Sequence, residues 1–196
     1  MAPDERRRAI VDVVVPLLLE HGSEVTTRQI AEAAGIAEGT IFRVFPDKPA
    51  LLAAAAEQTM DPAVELAELR AALDGCTNLR TKILRGAEHL FARSQRVTAV
   101  MMALRGVWLT QPGDHGHHPG APRFLVEANE ALLRGLTELF EPHREELSVE
   151  PAAAAVLLRT LVLGSRHPGA HLGVTLTPYD VADVLLHGIC RHEGEG

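Results

Sequence analysis

The chain has 196 residues, 46% of them apolar and 4% aromatic, with a formal net charge of −7. That composition fits an aliphatic globular protein of one or two domains and excludes a disordered chain. The acidity excludes a protein that coats nucleic acid without regard to sequence. No apolar run reaches the 18 residues that a membrane span requires, so no membrane partner is expected.

Asp4 is placed to cap a first helix that runs to His21 and stops at Gly22. Ile10, Val13, Val14, Leu17 and Leu18 recur along it at helical spacing. Pro16 lies on the opposite side, which predicts a solvent-facing kink rather than a break. Arg6 to Arg8 form a basic N-terminal arm before the apolar run, as in a secretion signal. Asp12 and Pro16 interrupt that run, however, and no small-x-small cleavage site follows it, so the expected location is the cytoplasm.

The most informative stretch is Val25 to Leu52, VTTRQIAEAAGIAEGTIFRVFPDKPALL. Thr26 with Gln29 fits a capping box. Ile30, Ala31 and Ala34 give the helix that follows an apolar face, and Gly35 stands where a left-handed C-cap would end it. Ile36 is expected to turn back to the core. A second short helix, Glu38 to about Val44, begins three residues on. Two helices joined by a three-residue, glycine-containing turn are the signature of a helix-turn-helix. The small residues Ala37, Gly39 and Thr40 at the start of the second helix suit close approach to base edges in a major groove. Phe45 and Pro46 end that helix, and Asp47 is placed to cap the next. Lys48 then sits in a first turn, where a cation gains nothing from the helix dipole and a phosphate would explain it.

The order T-x-R-x-IAxxAGI-x-x-GT-[IL]-[FY]-x-x-F-x-x-K-x-x-L resembles the DNA-binding domain of TetR-family transcriptional repressors, over roughly the first 60 residues. The resemblance implies an all-α chain. A three-helix helix-turn-helix domain would span 1–60, and a helical regulatory and dimerisation domain 61–196. It implies DNA contacts from Thr26, Thr27, Arg28, Ala37, Glu38, Gly39, Thr40, Phe42, Arg43 and Lys48, with Phe42 and Lys48 facing the backbone. A homodimer on a palindromic operator is also implied, with a small-molecule effector. Three positions depart from the family pattern: Ala37 replaces a serine, Phe42 a tyrosine and Val44 a histidine. Fewer phosphate contacts and a shallower salt dependence are expected. Glu38 could accept from cytosine N4. Residues 1–60 hold six Lys or Arg against nine acids, about −3 overall, so the charge case rests on clustering rather than sum.

Beyond the motif the pattern stays helical, without β-type alternation or internal repeat. Helices are expected over Pro49–Thr59 and from Pro62 to about Leu73, the latter followed by an Asp74-Gly75 turn. Leu79–Arg93 and Val97–Thr110 read as an antiparallel pair broken near Ser94 to Arg96. Residues 111–123, QPGDHGHHPGAPR, read as a loop. Helices from Phe124 to about His143, Glu150 to about His167 and Pro178 to about His192 complete the chain. Val181, Val184, Leu185 and Ile189 are expected to face inward in the last of these. Apolar stripes on the Phe124 and Glu150 helices would make a four-helix bundle between two copies.

His89, Phe91, Met101, Met102, Arg105 and Trp108 are the candidate lining of a ligand cavity. The loop residues Asp114, His115, His117 and His118 resemble metal ligands in type but sit in a glycine-rich segment, so no metal and no cofactor is assigned. Cys76 and Cys190 lie far apart and read as ordinary cytosolic thiols. No nucleophile elbow, phosphate loop, HExxH or paired-carboxylate pattern occurs, so no catalytic residue is assigned. The leading function is a ligand-responsive, DNA-binding repressor. The alternative is an all-helical small-molecule-binding protein or enzyme with a vestigial DNA-binding motif.

Overall fold

A computed structural model describes residues 3–110, 123–165 and 176–190, without the side chains of Pro3, 106–110, Arg123 and Leu125. The expected loop with His115, His117 and His118, the Pro168-Gly169 helix end and the Trp108 side chain lie outside the described residues. Among the described residues the chain is all-α, with no strand and one isolated bridge between Leu147 and Cys190. No helix there is long and apolar enough to cross a membrane.

The first helix is interrupted, as α1 (Pro3–Asp12) and α2 (Val14–His21). Pro16 has no N–H to offer the Asp12 carbonyl and its ring crowds that carbonyl, so the ladder fails at Val13 rather than merely bending. Pro16 does face solvent, as expected. The basic arm is also helical: Arg6 to Arg8 belong to α1, and the Arg7 guanidinium lies 4.5 Å from the Phe45 ring centroid.

Next come α3 (Thr27–Ala33), α4 (Glu38–Val44) and α5 (Lys48–Thr59). Ile10, Val11, Val14, Leu18, Val25, Ile30, Ile41, Phe45, Leu51 and Leu52 are all buried. Pro62 opens α6 (Pro62–Leu73), and Gly75 turns the chain at φ 72°. One continuous helix, α7 (Leu79–Thr110), then replaces the expected pair. Ser94, Gln95 and Arg96 include neither proline nor glycine. The Ser94 hydroxyl is satisfied inside the helix by donating to the Phe91 carbonyl at 2.8 Å, so nothing there stops propagation.

The remaining helices are α8 (Arg123–Phe140), α9 (Pro151–Ser165) and α10 (Pro178–Ile189), the last opened by a capping box between Thr177 and Asp180. The buried stripe of α10 is Val181, Ala182, Leu185, Leu186 and Ile189. Val184, expected to face inward, is 62% exposed, because the 181/185/189 register places it on the far side.

The chain divides into two compact units: Met1–Asp61 with Gln95–Phe124, and Pro62–Ser94 with Leu125–Gly196. The division falls inside α7. The second unit has its own core, built on Leu69, Ile83, Ala87, Leu132, Leu136, Phe140, Leu158 and Val162. In it α8 crosses α6 closely, since a Cβ on Gly135 would come within 2.8 Å of Leu66 and 2.9 Å of Leu69.

Candidate nucleic-acid interface

The helix-turn-helix is assembled by local hydrogen bonds that its sequence specifies. The Thr26 hydroxyl accepts from the Gln29 backbone N–H at 3.2 Å, and the Gln29 side chain accepts from the Thr26 N–H at 2.8 Å. Gly35 takes φ 67°, and the chain closes α3 with Gly35 N–H to Glu32 carbonyl at 3.1 Å and Ile36 N–H to Ala31 carbonyl at 3.0 Å. Both bonds of a Schellman motif are therefore present. Ile36 is half-buried. Ala37 opens α4 without a side-chain cap, as its methyl group dictates.

Helix α4 is anchored from below and bare above. Ile41 and, at its C-cap, Phe45 are buried. Glu38, Gly39, Phe42 and Arg43 are exposed, Phe42 to 49%, and Thr40 is half-buried. A Cβ added at Gly39 would meet nothing within 4 Å. Glycine in a helix costs up to about 1 kcal/mol relative to alanine, and nothing inside the protein requires it there. The Asp47 carboxylate caps α5 by accepting from the Ala50 N–H at 2.8 Å, which fixes the half-buried Lys48 in the first turn. Arg28 and Arg43 are exposed, and among the described residues neither they nor Lys48 enter an ion pair. Thr26 and Ala37 are exposed and Thr27 is half-buried, its hydroxyl donating to the Glu38 carboxylate at 2.5 Å. Glu38 is thus tethered across the turn rather than left loose over the exposed side of α4.

Residues 10–55 match the family described as bacterial regulatory proteins, tetR family. The helix-turn-helix domain is of the TetR family. The chain is a DNA-binding transcriptional regulator. Solved structures at low identity share the fold over most of the chain. A TetR transcriptional regulator from Streptomyces coelicolor aligns with a TM-score of 0.62 at 20% identity, covering 94% of this chain and 98% of that one. A TetR-family regulator from Agrobacterium tumefaciens gives 0.58 at 16%, with 97% and 100% covered. A protein described as the superantigen PfiT gives 0.59 at 17%, with 98% and 100% covered. These neighbours share the fold, and their differing descriptions show that the fold alone does not carry a function. No curated protein matches the chain in sequence.

The residues expected to line a ligand cavity all belong to α7, the Trp108 side chain lying outside the described residues. His89 is buried and committed, its Nε2 lying 2.8 Å from Glu65 Oε1. Phe91 belongs to the core of the second unit. Met101 is half-buried, whereas Met102 (58%) and Arg105 are exposed. None of them lines the groove of about 400 Å³ between α8 and α9, which is formed by Leu133, Arg134, Thr137, Glu138, Ala152 and Val156. Sequence reasoning overlooked Glu65, whose other oxygen accepts from Arg93 Nε at 2.5 Å. Its signal was an acid in line with Leu69, one turn on, along the buried stripe of α6. Burial pushes the Glu65 carboxyl up, but the His89 hydrogen bond and the Arg93 charge and hydrogen bond outweigh it and hold the group below the usual carboxylate range.

Proposed function

We propose that this regulator is a non-enzymatic, ligand-responsive repressor that works in the cytoplasm as a homodimer on a palindromic operator. The observation that carries the DNA-reading half is the outward surface of α4, where Gly39, Thr40, Phe42 and Arg43 stand clear of the core. Gly39 and Thr40 lie at the N-terminal end of the helix, where a major-groove reader meets base edges. Lys48 and Arg28 hold the sugar-phosphate strands on either side, and Phe42 packs its ring on backbone sugars. Thr26, Thr27 and Ala37 approach the phosphates at the helix ends, and Glu38, held by Thr27, accepts from a cytosine amino group. In this reading residues 1–60 are the head and 61–196 the regulatory part.

The dimer is supported by α9. Its solvent-facing side is Ala152, Ala153, Val156, Leu157, Thr160, Leu163 and Gly164, an uncharged strip at helical spacing. The neighbouring α10 adds Tyr179 and Val184. The side of α8 exposed to water carries Glu127, Glu130, Arg134 and Glu138 beside Val126, and on this ground we favour a bundle of α9 with α10 over one with α8. Burying one leucine is worth about 1.5–3 kcal/mol, and two copies of such a strip suffice for a lasting four-helix contact. Two-fold symmetry then gives two heads for two half-sites. An effector that favours one spacing of the heads over the other sets operator affinity.

A gel-shift against the DNA flanking the chain's own gene tests the reading. Binding at least a thousand-fold tighter than to random duplex is expected. Equal affinity for both at low salt would remove it.

A further inference from the structure

The second unit buries more positive charge than it neutralises. Arg93 on α7 is 6% exposed, and its Nε is taken by Glu65, but its Nη2 is buried with no acceptor. Arg159 on α9 is half-buried. It donates from Nη2 to Asn129 Oδ1 on α8 at a long 3.3 Å, and its Nε is likewise buried without an acceptor. Glu65 has one oxygen on His89 and the other on Arg93, and among the described residues no carboxylate pairs with Arg159. Burial and, behind it, the positive charge of Arg93 pull the Arg159 guanidinium below the ordinary arginine range. Two guanidiniums of one unit thus lie within reach of each other's charge, each with a dry N–H. Uncompensated groups of this kind are costly, and folded proteins rarely keep them without a partner.

We propose that Arg93 and Arg159, steadied by Asn129, are the recognition site for the carboxylate of a small apolar acid that acts as the effector. This rests on reading the second unit as the regulatory one. Glu65 and Arg93 cancel, leaving one net charge at Arg159, which calls for a monoanion. A dianionic phosphate would face the Glu65 carboxylate as well. A carboxylate presents two oxygens in the planar spacing that guanidinium N–H groups match. Arg159 shares its helix with Leu158 and Val162 of the aliphatic core, which makes an apolar tail the better match.

The test is thermal unfolding of the full chain with the sodium salts of formate, acetate, butyrate and octanoate at constant ionic strength. Octylamine, 1-octanol and inorganic phosphate serve as controls. At ten times its dissociation constant a bound carboxylate raises the midpoint by about 4 °C. Arg159→Met should abolish that rise. It should also leave the ligand-free protein as stable as the wild type or more so, since it removes a charge that Arg93 repels. Arg93→Met risks unfolding through Glu65, so Arg159→Met decides. No rise with any carboxylate, an equal rise in Arg159→Met, or a rise with phosphate alone overturns the site. A gel-shift of the ligand-free protein separates this from the regulator reading. If the free protein binds its operator and the carboxylate that stabilises it leaves that affinity unchanged, the effector role is refuted. Failure to bind operator at all refutes the regulator reading, independently of the carboxylate result.

Discussion

Gly39→Ala sets stability and function in opposition at one atom. Gly39 is the second residue of α4, in ordinary helical backbone, and the added methyl would touch nothing within 4 Å. Such a change stabilises by about 0.4–1 kcal/mol, chiefly by restricting the unfolded chain. For a chain of this size that is a rise in midpoint of about 1–4 °C. On the operator the same methyl enters the space that the groove edge fills. Overpacking a close contact costs about 1–3 kcal/mol, or roughly 5- to 150-fold in affinity. Calorimetry and a titration of labelled operator measure the two effects on one sample. A variant that melts higher and still binds operator at wild-type strength would show that nothing approaches α4 closely at Gly39. A variant that melts lower would contradict the open space around it.

Lys48→Ala should weaken binding to all duplexes alike and reduce the slope of log affinity against log salt by about one unit for each head of the dimer, whereas Arg43→Ala should change which operator is preferred. Both are read by fluorescence titrations over a salt series, and a changed preference in Lys48→Ala with an intact slope would invert the roles. Leu157→Glu, on the exposed strip of α9, should give monomers by light scattering with unchanged helical circular dichroism. A dimer that persists would move the interface elsewhere. Glu65→Gln should cost roughly 3–5 kcal/mol at pH 7, because Arg93 loses its counter-charge in the interior. The folded Glu65 carboxyl sits below its ordinary 4.5, so its contribution is complete above that value and drains away as pH falls through the lower folded value. Denaturant melts of wild type and variant should therefore converge as the pH falls below 4.5 and through the lower folded value; a gap that stays constant would refute the assignment.

What the sequence disclosed was local. Thr26 with Gln29, Gly35, Asp47 and Thr177 before Pro178 each mark a helix end through bonds made within a few residues, and each does so in the structure. What it withheld depends on partners distant along the chain. Glu65 meets His89 and Arg93 across 24 and 28 residues, and no periodicity on α6 could announce that pairing. The same distance explains α7. Ser94 to Arg96 read as a polar interruption because Arg93 and Ser94 gave no sign of being buried, yet both are. Pro16 erred in the opposite direction: its side of the helix was correctly placed, but a lost hydrogen bond beside a crowded carbonyl proved enough to part α1 from α2. Among the contact positions, the sequence showed residue types and spacing. Only the fold shows that Glu38 is tethered by Thr27 and that Arg7 lies over Phe45.

A chain of net charge −7 that reads a polyanion has a further consequence. Non-specific affinity for DNA comes almost wholly from phosphate contacts, and specific affinity only in part. Beyond a Debye length of about 10 Å at 0.1 M salt, distant acids matter little, so attraction is left to the cations at the interface. Each head offers Arg28, Arg43 and Lys48 without an ion pair among the described residues, while Arg7 is drawn onto Phe45. In the proposed dimer Arg28 and Lys48 on each head give roughly four phosphate neutralisations, so the salt slope is about −4 with Arg43 kept for the bases. The acids that remain (nine in residues 1–60 against six bases) tax every wrong duplex as much as the right one, and only the right one returns base contacts. Sparse cations thus lower the background more than the signal, so discrimination, not tightness, is what this surface favours. A measured slope of −8 or steeper would bring the α1 arginines into the interface and undo that conclusion.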